Sequence, residues 1–350
     1  MLKRTIILVV VFVLSIPSIS LAQKYAGEFM ALGGGARAMG MGGAYTAVAG
    51  DATTCFWNPA GLILRGYPLS SGNDWEAVFM HSERFGNLID YNFVSLSFPM
   101  SLGKSAWGIT LIHMGIDDIR VVPFRSGMIG GKNDGDMIFE PWLGEKLNFD
   151  YKDYPLESVN DYALFFSYAQ MLSFGALGAT VKVIRDDQVA DVSSLGIGID
   201  IAFLKRDVWK RMILGMKFQD ITGTFIAWST GKKEFIYPAI KFGVAYPLEI
   251  SRLSSVFLLA VDGDFRFENR RYVSQFWLGR ASADFHVGAE LVIREIVAIR
   301  GGLDVDRPTA GIGFILKDFS PWKFNLGIDY ALLLHDVLDT THRVSILLSH

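Results

Sequence analysis

Asp284, His286 and Glu290 stand at even positions of one run, Ala283 to Leu291, whose odd positions Ala283, Phe285, Val287, Ala289 and Leu291 are apolar. Two carboxylates flanking an imidazole on one face could relay a proton or hold a polar ligand. The same groups could instead bond another part of the chain packed against that face, and this structural reading is preferred. Lys182, Lys241, Arg300 and Asp329 read the same way, as polar pairs holding a packed segment. Gly33, Gly35 and Ala38 match a G-x-G-x-x-A dinucleotide fingerprint, which has meaning only between a strand and a helix of a βαβ unit. No such unit surrounds them. The stretch KNDGDMIFE (132–140) resembles a calcium loop through Asn133, Asp134 and Asp136 but lacks the ligand spacing, so it reads as a polar surface loop. Cys55 is the single cysteine, which excludes an intrachain disulfide and offers no zinc cluster. No catalytic triad signature is present. Neither an enzyme nor a cofactor nor a metal is expected.

The elements that carry these residues are strands. From Trp322 to Leu332 the even positions are Trp322, Phe324, Leu326, Ile328, Tyr330 and Leu332, and the odd ones Lys323, Asn325, Gly327, Asp329 and Ala331. Leu195, Ile197, Ile199, Ile201 and Phe203 alternate with Gly196, Gly198, Asp200 and Ala202. Tyr162 to Tyr168 and Ile240 to Tyr246 repeat the pattern. A period of two over about ten residues is a strand with one apolar face. Turn signals between strands are read at Asp186-Asp187, Asp262-Gly263, Asp304 to Pro308 and Asp339 to Thr341.

Many alternating strands build either a soluble sandwich or a transmembrane barrel. The chain has 350 residues, 51% hydrophobic and 20% charged, and a mean hydropathy of +0.30. Its minority face is rich in Gly and Ala as well as charge, which suits a crowded lumen. Trp75, Trp107, Trp209, Trp277 and Trp322 lie near strand ends, where interfacial girdles form. The expectation is an all-β fold, a transmembrane antiparallel β-barrel of about fourteen strands between Trp75 and His350, with outer-membrane lipid around it. A net charge of −3 gives no footprint for nucleic acid. Lys3-Arg4, the apolar run Thr5 to Leu21 and Ser20-Leu21-Ala22 read as a signal peptide over 1–22, which implies export to a bacterial outer membrane.

A barrel of this width is not filled by wall side chains alone. The segment 23–70, ahead of the barrel domain 71–350, contains GARAMGMGGAYTAVAGDATTCFWNPAGL (35–62), small and nearly neutral. It reads as a hatch folded into the lumen. Gly35, Arg37, Gly40, Gly42, Gly43, Asp51, Trp57 and the turn Asn58-Pro59-Ala60-Gly61 are its candidate determinants, the proline presetting φ and the asparagine bonding nearby backbone. The long stretch at about 118–158, with Phe139, Trp142, Phe149, Tyr151 and Tyr154 among charges, is expected on the extracellular side. With the loop near Glu268 to Val273 it would form the outer mouth.

The 35–62 stretch closely resembles the N-terminal signature of the PorV/PorQ family of outer-membrane proteins, relatives of the FadL fatty-acid channel. YPAIKFGVAYPL (237–248), FHVGAELVIREIVAIRGGL (285–303), LGIDYALL (326–333) and THRVSILLSH (341–350) resemble later strands of that family. Gly50-Asp51-Ala52 stands where relatives often carry two acidic residues, and His350 ends the chain where an aromatic is usual. The resemblance implies a barrel that receives secreted proteins in type IX export. Its FadL side implies instead a passive channel for hydrophobic small molecules.

Overall fold

The computed structural model describes residues 27–48, 50–63, 75–84, 88–101, 103–121, 155–268, 270, 273–319, 323–334 and 340–350. The expected signal peptide, Trp322 and the loop aromatics Phe139, Trp142, Phe149, Tyr151 and Tyr154 lie outside these residues. Among the described residues the chain forms β1 (Glu76–Arg84), β2 (Ile89–Ser101), β3 (Ser105–Arg120), β4 (Leu156–Leu172), β5 (Gly175–Gln188) and β6 (Val192–Lys205). There follow β7 (Ile213–Gln219), β8 (Thr224–Trp228), β9 (Lys233–Ile236), β10 (Ala239–Ile250), β11 (Ser255–Arg266) and β12 (Phe276–Leu278). The last are β13 (Ala281–Ile293), β14 (Val297–Asp304), β15 (Arg307–Leu316), β16 (Asn325–Leu333) and β17 (Thr341–Ser349).

Fourteen of these close into one antiparallel ring. Each of β1 to β6 pairs with the next, β7 with β10, β10 with β11, β11 with β13, and β13 to β17 follow in order. The ring shuts where β17 lies against β1, with His81 opposite Val344. Closure leaves no free sheet edge at this level, the condition for backbone to cross hydrocarbon. The even, alternating runs of the sequence predict this ring and its strand number.

Three strands stand outside it. Phe276, Trp277 and Leu278 of β12 hairpin back onto the end of β13. The hairpin β8–β9 continues the seventh wall position upward. There, Ile197 pairs with Phe225 while Ile201 pairs with Phe218, so the span from Ile197 to Ile201 faces the longer span from Phe218 to Phe225. The surplus forms a bulge at Asp220 to Gly223, closed by a bond from Gly223 N to Asp220 O of 2.7 Å.

Alternation sets which face does what. Phe79, Leu111, Phe166, Val181, Ile197 and Ile346 are exposed on the outside, whereas the residues between them are buried inward. A belt of exposed Phe, Leu, Ile and Val around the whole ring is a lipid-facing surface, and the protein is an integral barrel of outer-membrane type. No helix among the described residues is long and apolar enough to cross a membrane; the strands do so.

Two turn signals are corrected. Asp186-Asp187 lies inside β5 and Asp262-Gly263 inside β11. Asp186 and Asp262 are buried on the lumen side. A polar residue beside glycine signals a turn in a soluble protein, but in a filled barrel the polar face is the interior. The 118–158 connection is also shorter than expected, since β3 runs to Arg120 and β4 starts at Leu156.

Candidate functional site

Residues 27–48 and 50–63 lie inside the ring. They form a 3-10 turn at Glu28–Leu32, a short helix at Ala36–Gly40, one helical turn at Thr54–Trp57 and a second 3-10 turn at Pro59–Ile63. Nearly every residue from Gly33 to Leu62 is buried. Helices of four or five residues have no stability of their own, so the wall must hold them.

At the end of the barrel that carries the short turns, Asn58 closes the turn. Its Oδ1 accepts from Ala60 N at 3.1 Å, and its Nδ2 donates to Thr46 O at 2.7 Å and to Phe203 O of β6 at 3.2 Å. Pro59 and Ala60 then press on β5 at Gly178, where a Cβ would sit 2.3 Å from Ala60 N. On the opposite wall a Cβ at Gly288 would lie 2.4 Å from Met41 O. Backbone packs on backbone at both points, which only glycine permits.

A buried charge chain crosses the centre. Arg37 meets Glu290 of β13 through Nε at 2.9 Å and Nη2 at 2.7 Å, and reaches Asp51 through Nη1 at 3.2 Å. Glu290 also accepts from Arg300 of β14 at 2.7 Å, and Arg300 donates to Asp329 of β16 at 2.6 Å. Tyr45 donates to Asp51 at 2.6 Å. Burial pushes the Tyr45 phenol well above its ordinary value, so it stays a donor. Burial works against the Arg37 charge, but Glu290 beside it prevails and holds the guanidinium protonated.

Sequence-predicted lumen residues divide into two sets. Glu290 and His286 touch the inner segment, His286 Nδ1 lying 3.1 Å from Gly42 O and 3.0 Å from Asp304 Oδ1. Lys182, Lys241, Asp284, Arg300 and Asp329 pair instead with other groups of the barrel. Lys182 Nζ meets Asp200 at 2.8 Å and Asp220 at 2.6 Å, and Lys241 meets Asp264. Asp284 accepts from Arg270 at 2.8 Å and from Gln275 N at 2.9 Å. Of the hatch candidates, Trp57 donates to Gly34 O at 2.8 Å, while Gly40 accepts from Thr309 at 3.2 Å. Gly35, Gly42 and Gly43 hold positive φ around the short helix.

Several anchors escaped sequence reasoning. Asp262 Oδ2 accepts from Tyr45 N at 2.8 Å and Thr46 N at 2.6 Å. Lys217, beside Lys182, donates to Phe56 O at 2.7 Å. Ser345 accepts from Ala36 N at 2.8 Å, Tyr91 donates to Gly33 O at 2.9 Å, and Glu76 accepts from Ala52 N. Their common signal is a polar residue at inward parity of an alternating run.

Above the inner segment lies a cavity of about 620 Å³. Its lining joins apolar Met30, Met39, Phe56, Trp57, Phe165 and Ile236 to charged groups, among them Lys217, whose Nζ lies 5.6 Å from the centre of the Phe56 ring. Glu268 and Val273 of the β11–β12 connection reach its rim.

No protein-family model matches the chain, and no curated protein matches it. Among solved structures it is similar to the TodX deltaS2S3 mutant monoaromatic hydrocarbon channel, at 10% identity and TM-score 0.46 over 91% of this chain and 98% of that one. It is also similar to a Pseudomonas aeruginosa FadL homologue, at 8% identity and TM-score 0.49 over 88% of this chain and 95% of that one. The translocator domain of autotransporter NalP from Neisseria meningitidis gives 9% identity and TM-score 0.39 over 80% and 89%. The barrel assignment itself rests on the closed ring of strands and its apolar exterior.

Proposed function

We propose that the protein is a filled outer-membrane platform of the PorV/PorQ type, which receives secreted proteins at its extracellular mouth during type IX-like export. The observation that carries this reading is how the inner segment is fastened. Among the described residues it bonds at least nine of the fourteen wall strands: β1 through Glu76, β2 through Tyr91, β4 through Ser167, β6 through Phe203 O, β7 through Lys217, β11 through Asp262, β13 through Glu290, β15 through Thr309 and β17 through Ser345. Conduction past such a hatch requires breaking these contacts together, one of them the buried ion pair Arg37–Glu290 and the others hydrogen bonds worth about 0.5–3 kcal/mol each. A permanent filling leaves the mouth as the working surface. The aromatic-rich 118–158 connection supports that role by its composition.

One observation favours the FadL-like alternative, a passive channel for hydrophobic small molecules: the lumen cavity with Met30, Met39, Phe56, Trp57, Phe165 and Ile236 in its lining. Gentle detergent extraction of the tagged protein from its native outer membrane, followed by mass spectrometry, separates the two. Stoichiometric secreted proteins or a secretion translocon support the platform. A lone barrel carrying an apolar small molecule overturns it in favour of the channel.

A further inference from the structure

We propose that the outward face of β1 to β4 binds the polar headgroups of the outer leaflet and draws them down, so that the membrane is thin along one side of the barrel. This goes beyond partner docking at the mouth and does not depend on it. One cross-strand row carries the inference. His81 of β1 lies opposite Asn92 of β2, Asn92 opposite His113 of β3, His113 opposite Tyr162 of β4, and Tyr162 opposite Arg185 of β5. These five share the outward parity of the exposed residues Phe79, Leu111, Phe166 and Val181 on the same strands. Side chains join the row. His81 Nδ1 donates to Asn92 Oδ1 at 2.8 Å, Asn92 Nδ2 to His113 Nδ1 at 3.4 Å, and His113 Nε2 to Asn160 Oδ1 at 2.8 Å. The His113 ring stacks on Tyr162 with 4.8 Å between centres. Charge flanks the row at both ends, with Glu83 beside His81 at 3.7 Å and Asp187 beside Arg185 at 2.8 Å.

The row sits low on the wall. Phe98, Trp107 and Tyr168 stand opposite one another near the short-turn end and mark the inner interface, the first two stacked at 4.6 Å. Phe98 to Asn92, Trp107 to His113 and Tyr168 to Tyr162 are six residues each, about 15 Å of height at the rise and tilt of barrel strands. The apolar band of such barrels is about 25 Å tall. The wall at β6 reaches that height. There Leu195, Ile197, Ile199 and Ile201 are exposed above Phe203, and the first polar residue at their parity is Ser193, ten residues up or about 26 Å by the same measure. Hydrocarbon offers no partner to imidazole, amide, phenol or guanidinium groups. What covers Val94 and Leu111, directly below the row, is bilayer, and the next layer of the same bilayer is its headgroup oxygens and their water. A short apolar face is accommodated by thinning of the bilayer beside it.

The test uses the full-length protein, with Cys55→Ala, in dioleoylphosphatidylcholine vesicles. Spin labels are placed one at a time at Val94→Cys on β2 and Ile199→Cys on β6, each four residues above its interfacial aromatic, Phe98 or Phe203. Their depth is read from collisions with oxygen and with a water-soluble nickel chelate. Val94 is two residues below Asn92 and Ile199 six below Ser193, so the Val94 label is expected about 10 Å nearer the headgroups. Replacing the row by His81→Leu, Asn92→Leu and His113→Leu together is expected to move the Val94 label deeper by at least half of that difference, with the Ile199 label unmoved. Equal depth of the two labels in the parent protein overturns the proposal. A Val94 depth indifferent to the triple substitution overturns it as well, because the row would not be what draws the headgroups down. So does a defined dipolar distance between Val94 labels of two copies, since a second barrel would then cover the row. The partner-docking reading is scored separately, on the proteins recovered with the extracted barrel.

Discussion

Replacing Arg37 with methionine keeps the volume of the side chain and removes its charge from the centre of the lumen. Arg37 makes a two-pronged contact with Glu290, at 2.9 and 2.7 Å, and a third bond to Asp51 at 3.2 Å. Breaking a buried pair by deleting one partner costs about 3–5 kcal/mol, because the remaining charge stays buried. Here the lower end applies. Glu290 keeps Arg300 at 2.7 Å, and Asp51 keeps Tyr45 at 2.6 Å and Thr53 N at 3.0 Å. The charge chain Asp51–Arg37–Glu290–Arg300–Asp329 would nevertheless be left with three acids and one arginine. A loss of about 3 kcal/mol corresponds to roughly a 150-fold increase in the population with the inner segment displaced.

Cys55 reports that population. It is the single cysteine, wholly buried, and its Sγ packs so closely on β3 that a Cβ at Gly108 would lie 2.3 Å away. It is tied to Arg37 through Asp51, whose backbone oxygen accepts from Thr54 N at 3.1 Å. In the folded barrel the thiol reacts only when the inner segment leaves the wall. Maleimide labelling of Arg37→Met under native conditions is therefore expected to run about two orders of magnitude faster than in the parent protein. The barrel itself should still migrate faster on a gel unless boiled. Labelling within about threefold of the parent rate, with the barrel intact, would refute the view that the charge chain holds the inner segment.

Three further outcomes are expected. Gly178→Ala puts a Cβ against the backbone of Ala60, at 2.3 Å, and should accelerate Cys55 labelling more than the same change at Gly231, where nothing lies within 4 Å. Asn58→Leu deletes the bonds to Ala60 N, Thr46 O and Phe203 O and should cost about 2–3 kcal/mol, read by the same labelling rate and by a lower thermal midpoint. Deleting residues 128–150, which lie outside the described residues, should abolish capture of secreted proteins while the barrel still inserts; continued capture would remove that loop from the docking site.

The wall was legible because its physics is local. In β17, Val344 and Ile346 face outward while Arg343, Ser345 and Leu347 are buried inward, and a period of two is visible in any nine residues. The fourteen-strand ring follows from counting such runs. The interruptions were less legible. The bulge at Asp220 to Gly223 shows only as a register jump between β7 and β8, and register belongs to the neighbour β6. Asp262 reads as part of a turn, yet it is buried inside β11, because Asp-Gly has the same composition whether it bends the chain or lines a lumen.

The interior was legible in kind and not in pairing. A small, neutral stretch before the first strand suggests a filled lumen, and Gly and Ala on the inner wall suggest that something packs there. Which residue meets which depends on contacts such as Arg37 to Glu290, 253 positions apart, and Ala36 to Ser345, 309 apart. Alternation carries no information over that distance, so Lys182 on β5 and Lys217 on β7, both at inward parity on either side of β6, cannot be ranked from sequence. Only Lys217 donates to the inner segment, at Phe56 O, while Lys182 is drawn to the bulge by Asp220. The deciding factor is where the opposing backbone offers a carbonyl. The inner segment offers one wherever its short helices end, because four or five residues cannot satisfy their own carbonyls. Its poverty in regular structure is therefore the reason that the wall needs polar residues at inward positions, and the two features of the sequence have one cause.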